Sequence, residues 1–336
     1  MRTSLFLVVC GLVVGACSGE SASVPTRATD PTLPATPAVG GEGAGGAAGT
    51  SGGPGAPGTV ADGGAGDGAV DAIDASTGPW PGSQMNVLPF AVQKAGAGAT
   101  WGTALTDIIR HLPTSYGTQY DFPDDRITWG HEVTHGINSH LRNYLNVTGK
   151  KANGFYLMKD RFTLVVEPAV LLANVGPLVP ASLRGSRYQT YLVDQVSGWN
   201  DTPTYVFDEW VAYTNGSEVG VELATSGSWT TWRDGVAGTL EFTVYALALG
   251  LAVETLDPTY FKGYANFREF LAWNTERAMN LYRAGAVLPA FTWATQDAYY
   301  AAWKTSPDGA TLRNFARRTF GAAYCTKVLA IAAAKE

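Results

Sequence analysis

The sequence predicts an α+β domain that is mainly α-helical and is preceded by a long segment that does not fold. From residue 171 onward most segments carry apolar side chains at helical spacing. Two stretches near the front of the domain, residues 86–91 and 154–170, have the composition of β-strands instead. Nearly all of the 10 Trp, 15 Tyr and 13 Phe lie after residue 80, where they can form a packed core. We therefore expect a small front sheet and a helical C-terminal part.

Residues 1–17 have the pattern of a secretory signal peptide. One arginine precedes an apolar run from Leu5 to Val14, which is too short for a transmembrane helix. The segment ends in "VGAC", residues 14–17, which resembles the lipobox of bacterial lipoproteins. That resemblance implies a lipid on Cys17 and, with Ser18 after it, attachment to the outer membrane of the cell envelope. Ordinary secretion, with Cys17 unmodified, is the alternative.

Residues 18–79 consist mostly of Gly, Ala, Pro, Ser and Thr and cannot bury enough apolar surface to fold. We expect a flexible tether, followed by one domain over residues 80–336. Cys325 is the one cysteine after residue 17, so a disulfide framework is excluded within the domain. The net charge is −6 without a basic run, which argues against nucleic acid as a partner.

The first predicted elements surround a histidine-rich helix. Residues 86–91 predict a strand whose proline is typical of a sheet edge, and residues 100–112 predict an amphipathic helix. Asp124 and Asp125 can cap the helix that follows. Residues 154–170 predict a hairpin that turns at Lys159-Asp160.

Three further helices are predicted in the second half of the chain. They cover residues 187–196, 202–216 and 238–256. For the second, Thr202 is the expected cap, Pro203 the first helical residue, and Asn215-Gly216 the stop. The third is the most apolar, but the stretch between its glutamates is too short to cross a bilayer, so we interpret it as the central buried helix.

The chemistry of the chain is predicted by "HEVTH", residues 131–135. Residues four apart on a helix differ by about 40° in direction, so His131 and His135 project side by side. They share a stripe with Ile127 and Leu141, which marks that face as inward. Glu132 points about 100° away from His131, which suits a general base that holds a metal-bound water. The pattern predicts a zinc ion on His131 and His135 with Glu132 as the catalytic base; a helix face that binds nothing is the alternative.

A catalytic zinc ion needs a third protein ligand. His140 is unsuitable, because on a continuous helix it would point about 140° away from His135. A carboxylate on a second helix is the other solution, and "FDEWVAY", residues 207–213, offers the best candidate. Three other carboxylates lack this context: Glu167, Glu218 and Glu222.

HExxH followed by a helix with Glu-aromatic-x-Ala resembles the gluzincin branch of zinc peptidases, particularly the lethal-factor and Pro-Pro endopeptidase group. The resemblance covers only these two short motifs. It implies a zincin-like metallopeptidase domain, with Glu209 as the third zinc ligand. It also implies that Ala212 lets the two helices approach, and that Asp208 or Tyr213 supports the ligands.

The chain departs from the family pattern at two positions. Tyr213 stands where thermolysin-like members have an aspartate, and Thr202 stands where the lethal-factor group has its catalytic tyrosine. We predict that Tyr205 takes the role of oxyanion donor, with Tyr188 and Tyr191 as alternatives.

These features predict a zinc-dependent endopeptidase that acts on a protein or peptide substrate. Zinc lowers the pKa of bound water toward ~7, and Glu132 accepts the proton. The substrate would add as a strand to a sheet edge, either residues 86–91 or the 154–170 hairpin. Two alternatives stay open: a zinc-containing surface module that binds protein or glycan without catalysis, and a hydrolase of a non-peptide amide.

Overall fold

The computed structural model describes residues 85–96, 98 and 100–332. The predicted signal segment with Cys17 and the tether of residues 18–79 lie outside the described residues. The described part is mainly helical and contains a three-stranded antiparallel sheet. The α+β, mainly α prediction is therefore confirmed.

The sheet consists of β1 (Val87–Pro89), β2 (Ala152–Tyr156) and β3 (Arg161–Val166), in the spatial order β1-β3-β2. The proline of β1 thus lies on an edge strand, where its missing N–H costs no ladder hydrogen bond. Residues 158–160, between β2 and β3, all have φ between 54° and 68°. The backbone N–H of Lys159 in this turn donates to Asp107 Oδ2 at 3.0 Å, which anchors the hairpin to the helix Gly102–His111.

The outer edge of β2 is occupied by side chains from two helices. The Tyr156 N–H donates to Asn138 Oδ1 at 2.9 Å, and the Tyr156 carbonyl accepts from Asn215 Nδ2 at 3.3 Å. Both asparagines are fully buried. β1 forms the opposite edge, separated from β2 by β3. These two groups of Tyr156 are therefore not free for an added strand, which argues against docking of a peptide on the 154–170 hairpin at this position; docking on residues 86–91 stays a prediction.

Ten α-helices are present in the described residues. They are α1 (Gly102–His111), α2 (Arg126–Tyr144), α3 (Val196–Trp199), α4 (Tyr205–Thr225), α5 (Ala237–Leu256), α6 (Pro258–Gly263), α7 (Ala265–Ala286), α8 (Gln296–Thr305), α9 (Ala310–Phe320) and α10 (Ala322–Val328). The helix predicted over residues 187–196 is present in π-helical form over Thr190–Asp194, and Gln195 separates it from α3.

Helix α4 starts later and ends later than its sequence signals predict. It starts at Tyr205, after a turn over residues 202–204, and continues through Asn215-Gly216 to Thr225. The buried Asn215 amide donates to Thr134 Oγ1 as well as to Tyr156. A Cβ on Gly216 would lie 3.0 Å from the Ile127 carbonyl oxygen. Asn215 and Gly216 therefore form contacts with neighbouring elements and do not end the helix.

Helix α5 is the central helix of the core, as predicted. It is long and apolar enough to cross a membrane by length and composition, but 83% of its most apolar window is buried inside the domain. Its residues from Ala237 to Val253 are all buried, among them Phe242 and Tyr245. The burial inside the domain explains the apolar composition without a bilayer.

Glu167 joins the sheet to the start of α4 and should make stability depend on pH. Its carboxylate accepts hydrogen bonds from Asn153 Nδ2 at 2.9 Å and from the Thr204 N–H and hydroxyl. Burial raises the pKa of Glu167 to about 7 from a normal 4.5. Between about pH 4.5 and 7 the Glu167 carboxyl is therefore protonated in the folded state but not in the unfolded state. The free energy of unfolding consequently falls as pH rises through that window.

Because of Glu167, we expect the free energy of unfolding to fall by up to about 3 kcal/mol as pH rises from 4.5 to 7. Urea unfolding of the protein and of Glu167→Gln across this range measures the difference in slope. The same slope in both proteins would contradict the assignment. Glu254→Gln, which alters an exposed ion pair with Arg318, is the matched control.

Candidate metal centre

The HEVTH motif lies on helix α2, which begins as predicted and crosses α4 closely. Asp125 caps α2, since its Oδ1 accepts from the N–H groups of Ile127 and Thr128 at 3.1 Å each. Where α2 meets α4, a Cβ on Gly130 would lie 3.6 Å from the Gly216 Cα. Because glycines occupy both sides of the contact, the two backbones approach closely enough for side chains from both helices to meet.

Three potential ligand atoms converge between these helices. His131 Nε2 and His135 Nε2 are 3.1 Å apart, and Glu209 Oε2 lies 3.7 Å and 3.5 Å from them. Ligands held by a tetrahedral zinc ion at about 2.0–2.1 Å are separated from one another by about 3.3–3.4 Å. All three side chains are largely buried, with exposures of 5%, 13% and 2%. The predicted histidines and Glu209 therefore form a group that fits one metal ion.

Two carboxylate oxygens at the centre are buried without a hydrogen-bond donor among the described residues. They are Glu209 Oε2 and Glu132 Oε1. Burying a carboxylate oxygen without a partner is unfavourable, and a cation between the histidines would relieve this cost for Glu209. Glu132 does not belong to the three-ligand group, so its free oxygen is available for another partner.

Neighbouring side chains orient the two candidate histidine ligands. Asp208 can only accept hydrogen bonds, so its 3.2 Å contact with His135 Nδ1 places the proton there and directs Nε2 to the centre. Asn138 Nδ2 donates to the other Asp208 oxygen at 2.6 Å. Tyr213, the other predicted support, packs its ring edge-on against the His131 ring, with centroids 4.5 Å apart.

The Tyr205 hydroxyl donates to Glu209 Oε1 at 2.8 Å and also contacts the Gln195 side-chain amide. Its ring stacks on Trp199, with centroids 4.4 Å apart. Tyr205 thus holds the Glu209 oxygen that does not face the histidines, and these contacts favour a positioning role. The alternative tyrosines are engaged elsewhere: Tyr191 contacts the Tyr213 hydroxyl at 3.2 Å, and Tyr188 contacts the Gly176 carbonyl at 3.2 Å.

The two histidines have opposite pKa shifts. Burial lowers the pKa of His131, and the charges of His135, Arg233 and Arg187 lower it further. Burial also opposes protonation of His135, but Glu209 and Asp208 raise its pKa well above the usual value. Without a metal, the raised pKa favours a second proton on His135, at Nε2, and a metal ion at Nε2 would have to displace it.

Burial raises the pKa of Glu132 to about 7; the nearby His135 opposes this shift, and the Glu209 carboxylate adds to it. A carboxyl group that exchanges its proton near neutral pH has the property required of a general base. Glu132 sits on the same helix as the two histidines, next to His131.

The residues that the sequence excluded as ligands lie elsewhere. His140 packs beside Phe90 and Tyr144, with ring centroids 6.2 Å and 5.1 Å away. Glu218 pairs with Arg277 at 2.5 Å, and Glu222 accepts from the backbone N–H groups that begin α1. With Glu167 bonded to Thr204, none of the three rival glutamates belongs to the metal group.

Comparisons with protein-family models, with curated proteins and with solved structures found no match. Three positions that shape the site were not predicted from the sequence: Gly130 and Gly216, which set the helix crossing, and Thr134, which joins α2 to Asn215. The glycines inside two otherwise regular helices were the available signal, since glycine in a helix interior usually has a packing reason.

Replacing Tyr205 by phenylalanine should weaken zinc binding about 10–100-fold, the usual cost of losing a group that orients a metal ligand. The ring and its stacking on Trp199 would remain. Competition with a zinc chelator measures the affinity. Tyr188→Phe is the control, because the Tyr188 hydroxyl donates to the Gly176 carbonyl and not to one of the three candidate ligands. Unchanged zinc affinity with a large loss of turnover at saturating zinc would instead indicate an oxyanion donor.

Proposed function

We propose that the protein is a zinc-dependent endopeptidase in which His131, His135 and Glu209 hold the metal ion and Glu132 is the general base. The observation that carries this proposal is the convergence of His131 Nε2, His135 Nε2 and Glu209 Oε2 within 3.7 Å of one another. The buried Oε1 of Glu132, which has no hydrogen-bond donor among the described residues, supports hydrolysis, because a purely structural metal site has no use for a base.

When bound, zinc would polarise the scissile carbonyl and lower the pKa of a water molecule toward ~7. Glu132 would serve as the group that accepts a proton from the attacking water and returns it to the leaving amine. Asp208 keeps the His135 ring oriented through Nδ1, and Tyr205 keeps Glu209 oriented through Oε1. The ring of Tyr213 packs against His131, and the ring of Tyr205 stacks on Trp199, so aromatic side chains surround the ligands.

The arrangement of the two ligand helices supports a zincin-like domain of the gluzincin type. α2 supplies both histidines, and α4 supplies the glutamate as well as Asp208, which orients His135. The small sheet packs on α2 through β2. In the same proposal, the protein is exported, carries a lipid on Cys17 and meets its protein or peptide substrates in the cell envelope, as the lipobox-like segment implies.

The test is digestion of a mixed peptide library with the purified, zinc-loaded protein, followed by mass spectrometry of the products. We expect new peptide termini that cease to form with a chelator and form again when zinc is restored. Stoichiometric zinc without any cleavage would overturn the proposal and favour a binding module. Release of amines from cell-wall amides, but not from peptides, would favour the non-peptide hydrolase.

A further inference from the structure

A second group of potential metal ligands lies between helix α1 and the turn that joins β2 to β3. Asp107 and His111 belong to α1, and Asp160 belongs to the turn. One side-chain ligand atom of each residue lies within 4.8 Å of the others. The group shares no residue with the candidate metal centre on α2 and α4, so it can hold an ion of its own.

The contacts of His111 place the proton of its neutral ring on Nδ1. This atom lies 2.7 Å from the Asp107 backbone carbonyl, which can only accept, and 2.7 Å from the Tyr156 hydroxyl. The single hydroxyl proton of Tyr156 goes to Asp107 Oδ2, which is also 2.7 Å away and also only accepts. With Nε2 protonated instead, Nδ1 would face the carbonyl oxygen with a lone pair.

The other ring nitrogen of His111 faces a carboxylate. Nε2 lies 2.9 Å from Asp160 Oδ1, and the His111 side chain is 1% exposed. Two atoms that only accept repel each other at this distance, so a positive charge is required at the contact. It can be a second proton on the ring or a metal ion. Histidine metal ligands commonly donate their other N–H to a backbone carbonyl, as His111 does to Asp107.

Both carboxylates are held in place by hydrogen bonds and keep a ligand oxygen available. Asp107 Oδ2 accepts from the Tyr156 hydroxyl and the Lys159 N–H, whereas Oδ1 has no hydrogen bond among the described residues. The Asp160 backbone carbonyl accepts from the Phe90 N–H at 2.7 Å, and the Asp160 side chain is 69% exposed. Water can therefore reach the group and complete the coordination shell of an ion.

The types of ligand and their spacing indicate the class of ion. Adjacent ligands of an octahedral ion at about 2.1 Å lie about 3.0 Å apart. The 2.9 Å between His111 Nε2 and Asp160 Oδ1 is closer to this value than to the about 3.3–3.4 Å of a tetrahedral zinc ion. Carboxylate and water ligands suit Mn²⁺, and imidazole suits first-row transition metals in general.

We infer that Asp107, His111 and Asp160 form a second metal site, which binds Mn²⁺ in octahedral coordination and joins α1 to the β2–β3 turn. The ion takes the place of the second proton at His111 Nε2, and water molecules fill the positions that the protein leaves open. Because the site has three protein ligands and an exposed side, its ion exchanges with solvent and is lost on dialysis. Its role is to stabilise the fold.

The first experiment titrates Mn²⁺ into protein that has been loaded with zinc and dialysed, with free Mn²⁺ measured by electron paramagnetic resonance. We expect one Mn²⁺ to bind per chain and the zinc to stay in place, because zinc binds a given set of ligands more tightly. The pulsed spectrum should show ¹⁴N coupling from an imidazole, and should keep it in His140→Gln. Binding that does not saturate at millimolar Mn²⁺ would overturn the inference and leave a proton at the His111–Asp160 contact.

Two aspartate variants test the assignment of the ligands. Asp160→Asn should weaken Mn²⁺ binding by at least about tenfold, and asparagine tolerates the φ of 59° at this position, so the turn should be retained. Asp194→Asn is the matched control, since Asp194 is exposed, accepts from Gln189 and lies outside both ligand groups. Equal Mn²⁺ affinity in the two variants would contradict the site.

Thermal unfolding tests the structural role. Mn²⁺ should raise the unfolding temperature of the unmutated protein and of Asp194→Asn, but not that of Asp160→Asn at the same concentration, because a ligand of the folded state stabilises it. The same rise in all three proteins would exclude this site as the cause. Peptide hydrolysis is not measured in any of these experiments, so failure of the proposed function would leave their outcome unchanged.

Discussion

Replacing Glu132 by glutamine should lower the rate of peptide hydrolysis by about 10²–10⁴-fold, the usual contribution of a general base. Glutamine has nearly the same shape, so the fold and the three metal ligands should be unaffected. Zinc content should stay at one per chain, because Glu132 is not part of the ligand group. Turnover of a cleaved library peptide and zinc content, measured on the same preparation, test both statements.

Glu254→Gln is the control for this substitution, since Glu254 pairs with Arg318 at the surface, outside the metal group. It should retain full turnover and zinc. Activity that persists in Glu132→Gln would show that another group accepts the proton. Loss of zinc together with activity would mean that Glu132 is a ligand, which would conflict with its position outside the group.

Removing the Glu209 carboxylate should have the largest effect on metal binding. In Glu209→Ala the two histidines remain, and we expect zinc affinity to fall by more than the roughly 10–100-fold that follows loss of a group behind a ligand. The Tyr205 hydroxyl would also lose its acceptor at Oε1. Zinc content after dialysis, and affinity by chelator competition, measure the result.

Glu218→Ala is the matched control for Glu209→Ala, because it removes a glutamate from the same helix without touching the centre. It should bind one zinc per chain with normal affinity. Zinc retained at full affinity in Glu209→Ala would exclude Glu209 as the third ligand. Circular dichroism of both variants separates loss of a ligand from loss of the fold.

The sequence predicts the local features of this site well, since they depend on helix geometry. His131 and His135 share a face because of the helical period, and Asp125 caps α2 because its carboxylate reaches the first free N–H groups. Glu209 could be named only through the resemblance of its surroundings to a family motif. No rule of spacing relates it to a helix that precedes it by more than 60 residues.

The features that could not be predicted depend on contacts between distant elements. Asn215-Gly216 has the composition of a helix stop, yet α4 continues through it. Tertiary contacts prevail there: the Asn215 amide bonds the Tyr156 carbonyl, and Gly216 admits the backbone of α2. The same contact engages the outer edge of β2 at Tyr156, one of the two edges expected to dock a peptide.

The crossing of α2 and α4 at Gly130 and Gly216 also has a consequence for the choice of metal. Because neither glycine carries a side chain, the two backbones lie close together: a Cβ on Gly216 would be 3.0 Å from the Ile127 carbonyl oxygen and 3.2 Å from the His131 Cβ. An ion with a larger radius would have to force apart two backbones that are already tightly packed, and a smaller one could not draw them closer. We therefore expect the helix crossing to keep the distance between the ligands nearly constant. Selectivity among divalent ions would then depend on this backbone contact as much as on the ligands.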